Sequence, residues 1–175
     1  MNFCLEIVPT AQSMRTHALV QSSIMFAHIA DTYPSITTDV SLLLPSHDRL
    51  TPTELFIGNS NRKLIRVPYF WEDDIFAVRP DWQWKLNTLP TNGLRVFDFH
   101  PAYVALNINS MTGYNDLKDE IYPRKLFEAS RDEFSPYVNS KKGSRTFLES
   151  IIATEDRNNY RTISDITRLF EKGQS

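Results

Sequence analysis

Stretches that read as strand alternate with stretches that read as helix through the first hundred residues, and that alternation confines the chain to an α/β architecture. Residues 13–18 put Ser13, Arg15 and His17 on one side and Met14, Thr16 and Ala18 on the other, the two-residue period of a strand. Residues 22–33 then carry Ile24, Met25, His28 and Ile29 at helical spacing, with serines to cap the start and Pro34 to end it. Residues 36–44 are β-branched and apolar, and residues 64–70 and 94–99 repeat the strand signature, the last behind an Asn92-Gly93 turn signal. We expect the strands containing Arg15, Asp39, Val67 and Val96 to form one largely parallel sheet flanked by helices. Residues 45–61, with Pro45, Pro52 and Gly58, read as loop with one helical turn around Thr53 to Phe56.

Beyond Tyr114 the signals are helical. A polar helix candidate lies between Gly113 and the Tyr122-Pro123 break; residues 143–153 bring Phe147, Leu148, Ile151 and Ile152 to one face. A last helix is predicted over 164–171, with Ser164 as N-cap and Ile166, Leu169 and Phe170 as its buried side. Residues 139–144, NSKKGS, read as a mobile loop. With 175 residues and no internal repeat, one domain spanning 1–175 is expected, with 114–175 as a helical tail packed on the sheet.

Charge and cysteine narrow the partners. Nineteen basic against 21 acidic side chains leave a net charge of -2, which argues against nucleic acid as a partner. The single cysteine, Cys4, can form neither an internal disulfide nor a zinc-ribbon pair. No apolar run reaches the roughly 18 residues of a membrane helix, and the amino terminus lacks a signal-peptide pattern, so a soluble, cytoplasmic protein is expected. No phosphate loop, serine elbow or His-Glu-x-x-His pair is present.

The chemistry then rests on few residues. His28 sits in an apolar stripe and His47 in a polar loop, which leaves His17 and His100. His100 ends the strand LRVFDFH ahead of Pro101, and Val96, Asp98 and His100 share one strand face. A carboxylate beside an imidazole stabilises its protonated form and suits a general acid or base; a structural strand-end histidine is the plain alternative. Arg15 and His17 recur at the same spacing ahead of a helix, at the strand end where α/β folds bind ligands. Arg15 offers a planar set of donors and His17 a nitrogen for a metal or a substrate oxygen, against a structural salt bridge for Arg15. Trp71, Glu72, Asp73 and Asp74 join an indole to three acids, a set that can orient a histidine or bind a sugar ring, or stand as a solvated charge run.

At these residues the sequence resembles a polysaccharide deacetylase of the NodB homology type, in the WbmS-like bacterial branch from lipopolysaccharide gene clusters. The matching blocks are LEIVPTAQSMRTHALVQSS (5–23), RVPYFWEDDI (66–75) and GLRVFDFHPAYVALN (93–107), with a late match at GSRTFLESII (143–152). The resemblance implies a partial (β/α) barrel, incomplete at the N-terminus, because the Asp-x-Asp strand and first histidine motif of such enzymes have no counterpart ahead of Arg15. It also implies hydrolysis of an N-acyl group on a surface polysaccharide or precursor sugar with a divalent metal, zinc in the usual case, whose site is incomplete in this chain. His100 would protonate the leaving amine, Asp73 or Asp98 would orient it, Arg15 would fix the base and His17 would ligate the metal, with Trp71, Asp74 and Asp98 facing the sugar. With no candidate base and too few ligands, the chain alone is expected to be inactive and to pair with a missing N-terminal half or with itself. A non-catalytic carbohydrate-binding or interaction remnant is the alternative.

Overall fold

The computed structural model describes residues 1–45, 47–57, 62–89, 92–154 and 156–173. In chain order the first elements are α1 (Asn2–Ile7), β1 (Ser13–Met14), α2 (Ser23–Thr32), β2 (Thr38–Asp39), β3 (Thr53–Phe56) and β4 (Lys63–Arg66). Then come β5 (Trp71–Glu72), α3 (Asp73–Ala77), β6 (Phe97–Asp98), α4 (Pro101–Leu106) and α5 (Thr112–Ile121). The last are α6 (Arg131–Phe134), α7 (Ser144–Thr154) and α8 (Ile163–Glu171). The chain packs as two compact units, one of residues 1–70, 91–96 and 160–175, the other of residues 71–90 and 97–159. Residues 114–175 therefore divide between them, at residue 160.

The first unit holds a four-stranded sheet in the order β1-β2-β4-β3. β1, β2 and β4 run parallel, with Met14 opposite Asp39 and Asp39 opposite Arg66. β3 is antiparallel to β4, where the sequence suggested a helical turn. Its Thr-Glu-Leu-Phe run is largely exposed at the sheet edge, and pairing with β4 supplies the hydrogen bonds that a lone helical turn would have had to find locally. The sheet is mixed α/β in character and open, not closed into a barrel. Val96 lies outside it: the strand that follows, β6, pairs with β5 in the second unit.

Burial corrects the helix face as well. On α2 the buried residues are Phe26, Ile29 and Ala30, which pack with Met14, Ile36, Ile57 and Leu64, while Ile24 and His28 are exposed. Ser22 caps the helix by accepting from the Met25 N–H at 3.1 Å. The strand expected over 13–18 stops at Met14, because a turn over His17–Leu19 holds Ala18 and Leu19 at φ 51° and 55°. Gly93 makes no hairpin. At φ 82° it lies against the Arg49 backbone, where an added Cβ would fall 2.6 Å from the Arg49 Cα. Asp39 is fully buried and accepts from Arg66 Nε at 2.9 Å and from the Ser41 N–H at 3.1 Å. α8 starts at a Thr162–Asp165 capping box, two residues before the expected Ser164, and its buried Thr167 meets the Thr38 hydroxyl at 3.0 Å.

The second unit is built around one indole. Trp71 is wholly buried, ringed by Phe99 and Phe147 with centroids at 4.7 and 4.8 Å and by Phe76, Trp82, Trp84 and Phe97 at 5.6 to 6.3 Å. A buried tryptophan removes enough apolar area from water to contribute about 4–6 kcal/mol, so this cluster anchors the unit. Leu106, Leu117, Ile121 and Ile151 extend it to α4, α5 and α7. On α7 the buried face is Phe147 and Ile151, with Ile152 exposed. Residues 139–143 are held by side chains: Asn107, left-handed at φ 50°, donates to the Asn139 and Lys141 carbonyls at 2.8 Å, and Asn139 donates back to the Asn107 carbonyl at 2.9 Å.

Candidate active site

β5 and β6 lie side by side and parallel, with Glu72 opposite Asp98, so both strands deliver their chain to the same end. There each turns into a helix: β5 directly into α3 at Asp73, and β6 through Phe99 into His100, the N-cap of α4, with Pro101 at the first helical position. This places Asp73 and His100 in contact. Asp73 is fully buried, and its Oδ1 accepts from His100 Nδ1 at 2.7 Å. Its Oδ2 accepts from the His100 backbone N–H at 3.0 Å and from the Ser144 hydroxyl at 2.9 Å. An ionised carboxylate only accepts, so Nδ1 carries a proton and Nε2 is the nitrogen left for chemistry.

The electrostatics follow from the same contacts. The hydrogen bond to Asp73 raises the His100 pKa above its ordinary value; partial burial works against this, and the fields of Asp73, Asp74 and Asp98 add to it. Tyr103 packs on the imidazole at 4.7 Å between centroids and meets Tyr114 edge-on at 4.8 Å. Burial chiefly, with Tyr114, Asp74 and Asp73 adding, pushes the Tyr103 hydroxyl up to about 12, which keeps it a neutral hydrogen-bonding group.

Among the described residues, Glu72, Asp74 and His100 can each offer one donor atom such that all three lie within 4.8 Å of one another. One imidazole and two carboxylates form a donor set that suits a divalent cation of the zinc or manganese type. His100 Nε2 stands 3.9 Å from Glu72 Oε1. That nitrogen can hold a metal or carry an acidic proton, but not both at once.

Of the residues singled out in the sequence, His100, Asp73, Asp74 and Asp98 come together here. Trp71 does not face a sugar: both sides of its ring are taken up by the aromatic core, and it supports the site from beneath. Arg15 and His17 belong to the first unit, where the Arg15 guanidinium donates to the Tyr69 hydroxyl at 3.3 Å and lies over its ring, and His17 opens an exposed turn. Glu72, grouped in the sequence with Trp71, Asp73 and Asp74, also lies at the site, whereas Tyr103 and Ser144 are site residues that the sequence did not single out. Ser144, 71 residues from Asp73, left no local signal.

Residues 1–118 match the family model of WbmS-like polysaccharide deacetylases. The chain belongs to this family. A crystal structure from Bordetella bronchiseptica, of a protein described as a candidate polysaccharide deacetylase involved in O-antigen biosynthesis, is similar at a TM-score of 0.69 and 30% identity. The similarity covers 87% of this chain and 59% of that one, so the chain spans a little over half the length of its structural relative. No curated protein sequence matches it. Asp73 and His100 fall inside the deacetylase family match, and Ser144 falls outside it.

Proposed function

We propose that this chain carries the acid side of a metal-assisted N-deacetylase site acting on an amino sugar of a surface polysaccharide or its precursor. One observation carries the reading: the Asp73–His100 contact at 2.7 Å, in a member of a deacetylase family. Asp73 fixes the orientation of the imidazole so that Nε2 is left for chemistry, and the surrounding acids favour its protonated form. An imidazolium so placed delivers its proton to the amine that leaves when the amide bond breaks. A divalent metal, zinc by our reading, would polarise the amide carbonyl and activate water. Glu72 and Asp74 are the carboxylates here that would help to hold it. The parallel strands β1, β2 and β4 fit part of the wall of a larger (β/α) barrel, of the size that the longer relative allows. Among the described residues we assign none as the water-activating base, so slow turnover or none is expected of the chain alone.

A second reading makes His100 Nε2 a metal ligand beside Glu72 and Asp74, favoured by the proximity of those three donors. The two separate in one titration. NMR spectra of the chain are recorded with an N-acetylated glucosamine oligomer, with and without zinc, and acetate release is measured in parallel. The acid reading expects the sugar to shift the His100 ring signals, and any acetate release to vanish in His100→Ala but persist in His28→Ala. Zinc that shifts His100 Nε2 directly and saturates there supports the ligand reading. A sugar that leaves His100 untouched at every concentration removes the acid reading, and zinc that leaves it untouched removes the ligand reading.

A further inference from the structure

We infer that Ser144 is a positioning residue of the Asp73–His100 pair, which makes the start of α7 part of the working site although it lies outside the family match. The inference rests on the acid reading above. Ser144 is fully buried and is the first residue of α7, and its hydroxyl donates to Asp73 Oδ2 at 2.9 Å. The same oxygen accepts from the His100 backbone N–H, and Oδ1 takes His100 Nδ1. Three donors from two directions fix the carboxylate plane. Were the serine donor absent, the carboxylate could turn about its Cβ–Cγ bond, and the imidazole would turn with it.

The serine is held in place from behind. The Ser144 N–H donates to the Ile108 carbonyl at 2.8 Å, and the Thr146 N–H donates to the Asn107 side-chain oxygen at 3.1 Å. Gly143 lies so close to this backbone that an added Cβ would sit 2.1 Å from the Asn107 carbonyl oxygen, so no larger residue lets α7 begin there without a shift. His100 and Asn107 are the two caps of α4. The start of α7 is therefore docked on the end of the helix whose beginning carries the acid, and the hydroxyl returns from that dock to the carboxylate. Such a closed path gives the buried hydroxyl a role in orientation, beyond satisfying one oxygen.

The test reads the proton between His100 and Asp73 directly, on the full chain with chelator present and no sugar. A short charge-assisted hydrogen bond of this kind gives a far-downfield Nδ1–H resonance that exchanges slowly with water. It is assigned by its loss in His100→Gln. In Ser144→Ala we expect this resonance to move upfield and its exchange with water to speed up about tenfold or more, the worth of one hydrogen bond to a charged group. Ser144→Thr, which keeps the hydroxyl, should restore both. Ser144→Cys keeps the volume with a weak donor and should behave like alanine, which serves if the alanine variant folds poorly. A resonance unchanged in position and exchange in folded Ser144→Ala or Ser144→Cys overturns the inference and leaves the acid reading standing. Absence of the resonance in the unmodified chain overturns the pair itself, and the inference with it.

Discussion

Replacing Asp73 by Asn tests whether the buried carboxylate organises the second unit. The substitution keeps the shape of the side chain and removes the charge on which the His100 Nδ1, the His100 N–H and the Ser144 hydroxyl converge. Hydrogen bonds to a charged group contribute about 1.5–3 kcal/mol each, and breaking a buried pair costs about 3–5 kcal/mol. The three contacts do not add, since the amide oxygen of Asn has two lone pairs and can still accept from the His100 N–H and the Ser144 hydroxyl. The His100 side chain is also 34% exposed, so water screens part of its attraction. We expect a loss of about 3 kcal/mol, toward the lower end of the buried-pair range. All three tryptophans, Trp71, Trp82 and Trp84, belong to the second unit, so urea unfolding followed by indole fluorescence reports on it specifically. The loss should also depend on pH. Because the folded state raises the His100 pKa, the stability this contributes is complete below the unfolded value of about 6.5 and disappears as pH rises through the folded value. The gap between the parent and Asp73→Asn should narrow on the alkaline side without closing, because the contacts from Ser144 and the backbone do not titrate with His100. A gap that stays constant across that range, or a variant as stable as the parent, would refute the argument.

Trp71→Ala should cost about 3–5 kcal/mol in the same unfolding measurement, with Trp82 and Trp84 as reporters, since it empties the centre of the aromatic cluster. Arg66→Ala should destabilise the first unit by about 3–5 kcal/mol by stranding the buried Asp39 carboxylate, seen as faster amide exchange in β2 and β4; unchanged exchange there would show the pair to be dispensable. Glu72→Gln should weaken zinc binding by roughly tenfold or more in a calorimetric titration, and equal affinity in both proteins would remove Glu72 from the metal-holding set.

Where a signal was local, the sequence was a good guide. The period-two pattern before His100 and the proline after it marked a strand end, and the acids after Trp71 marked another, although the helix that begins at Pro101 was expected to be loop. Residues whose role depends on distant neighbours were harder to read. The stretch at Thr53 to Phe56 is too short to show a period, and only its pairing with β4 makes it a strand. The face of α2 was misassigned because Ile24 and Phe26 are equally apolar in the sequence, and only the position of the sheet decides which of them is covered. Trp71 looked like a sugar platform because an indole beside acids is common to cores and to binding sites; what separates them is how many other rings lie against it. Asp73 contacts Ser144 across 71 residues, a separation over which no periodicity carries information.

The short helix between His100 and Asn107 has a consequence for what evolution can change. Its first cap is tied to Asp73 and its last to the start of α7, and successive residues of an α-helix are turned by about 100°. One residue added or deleted between the caps would swing the asparagine by that angle away from the loop it clasps, while the histidine stayed with its carboxylate. The side chain at the exposed Ala105 is open to exchange, but the count of residues between the caps is not. Insertions that lengthen related chains should fall on either side of this segment and never within it.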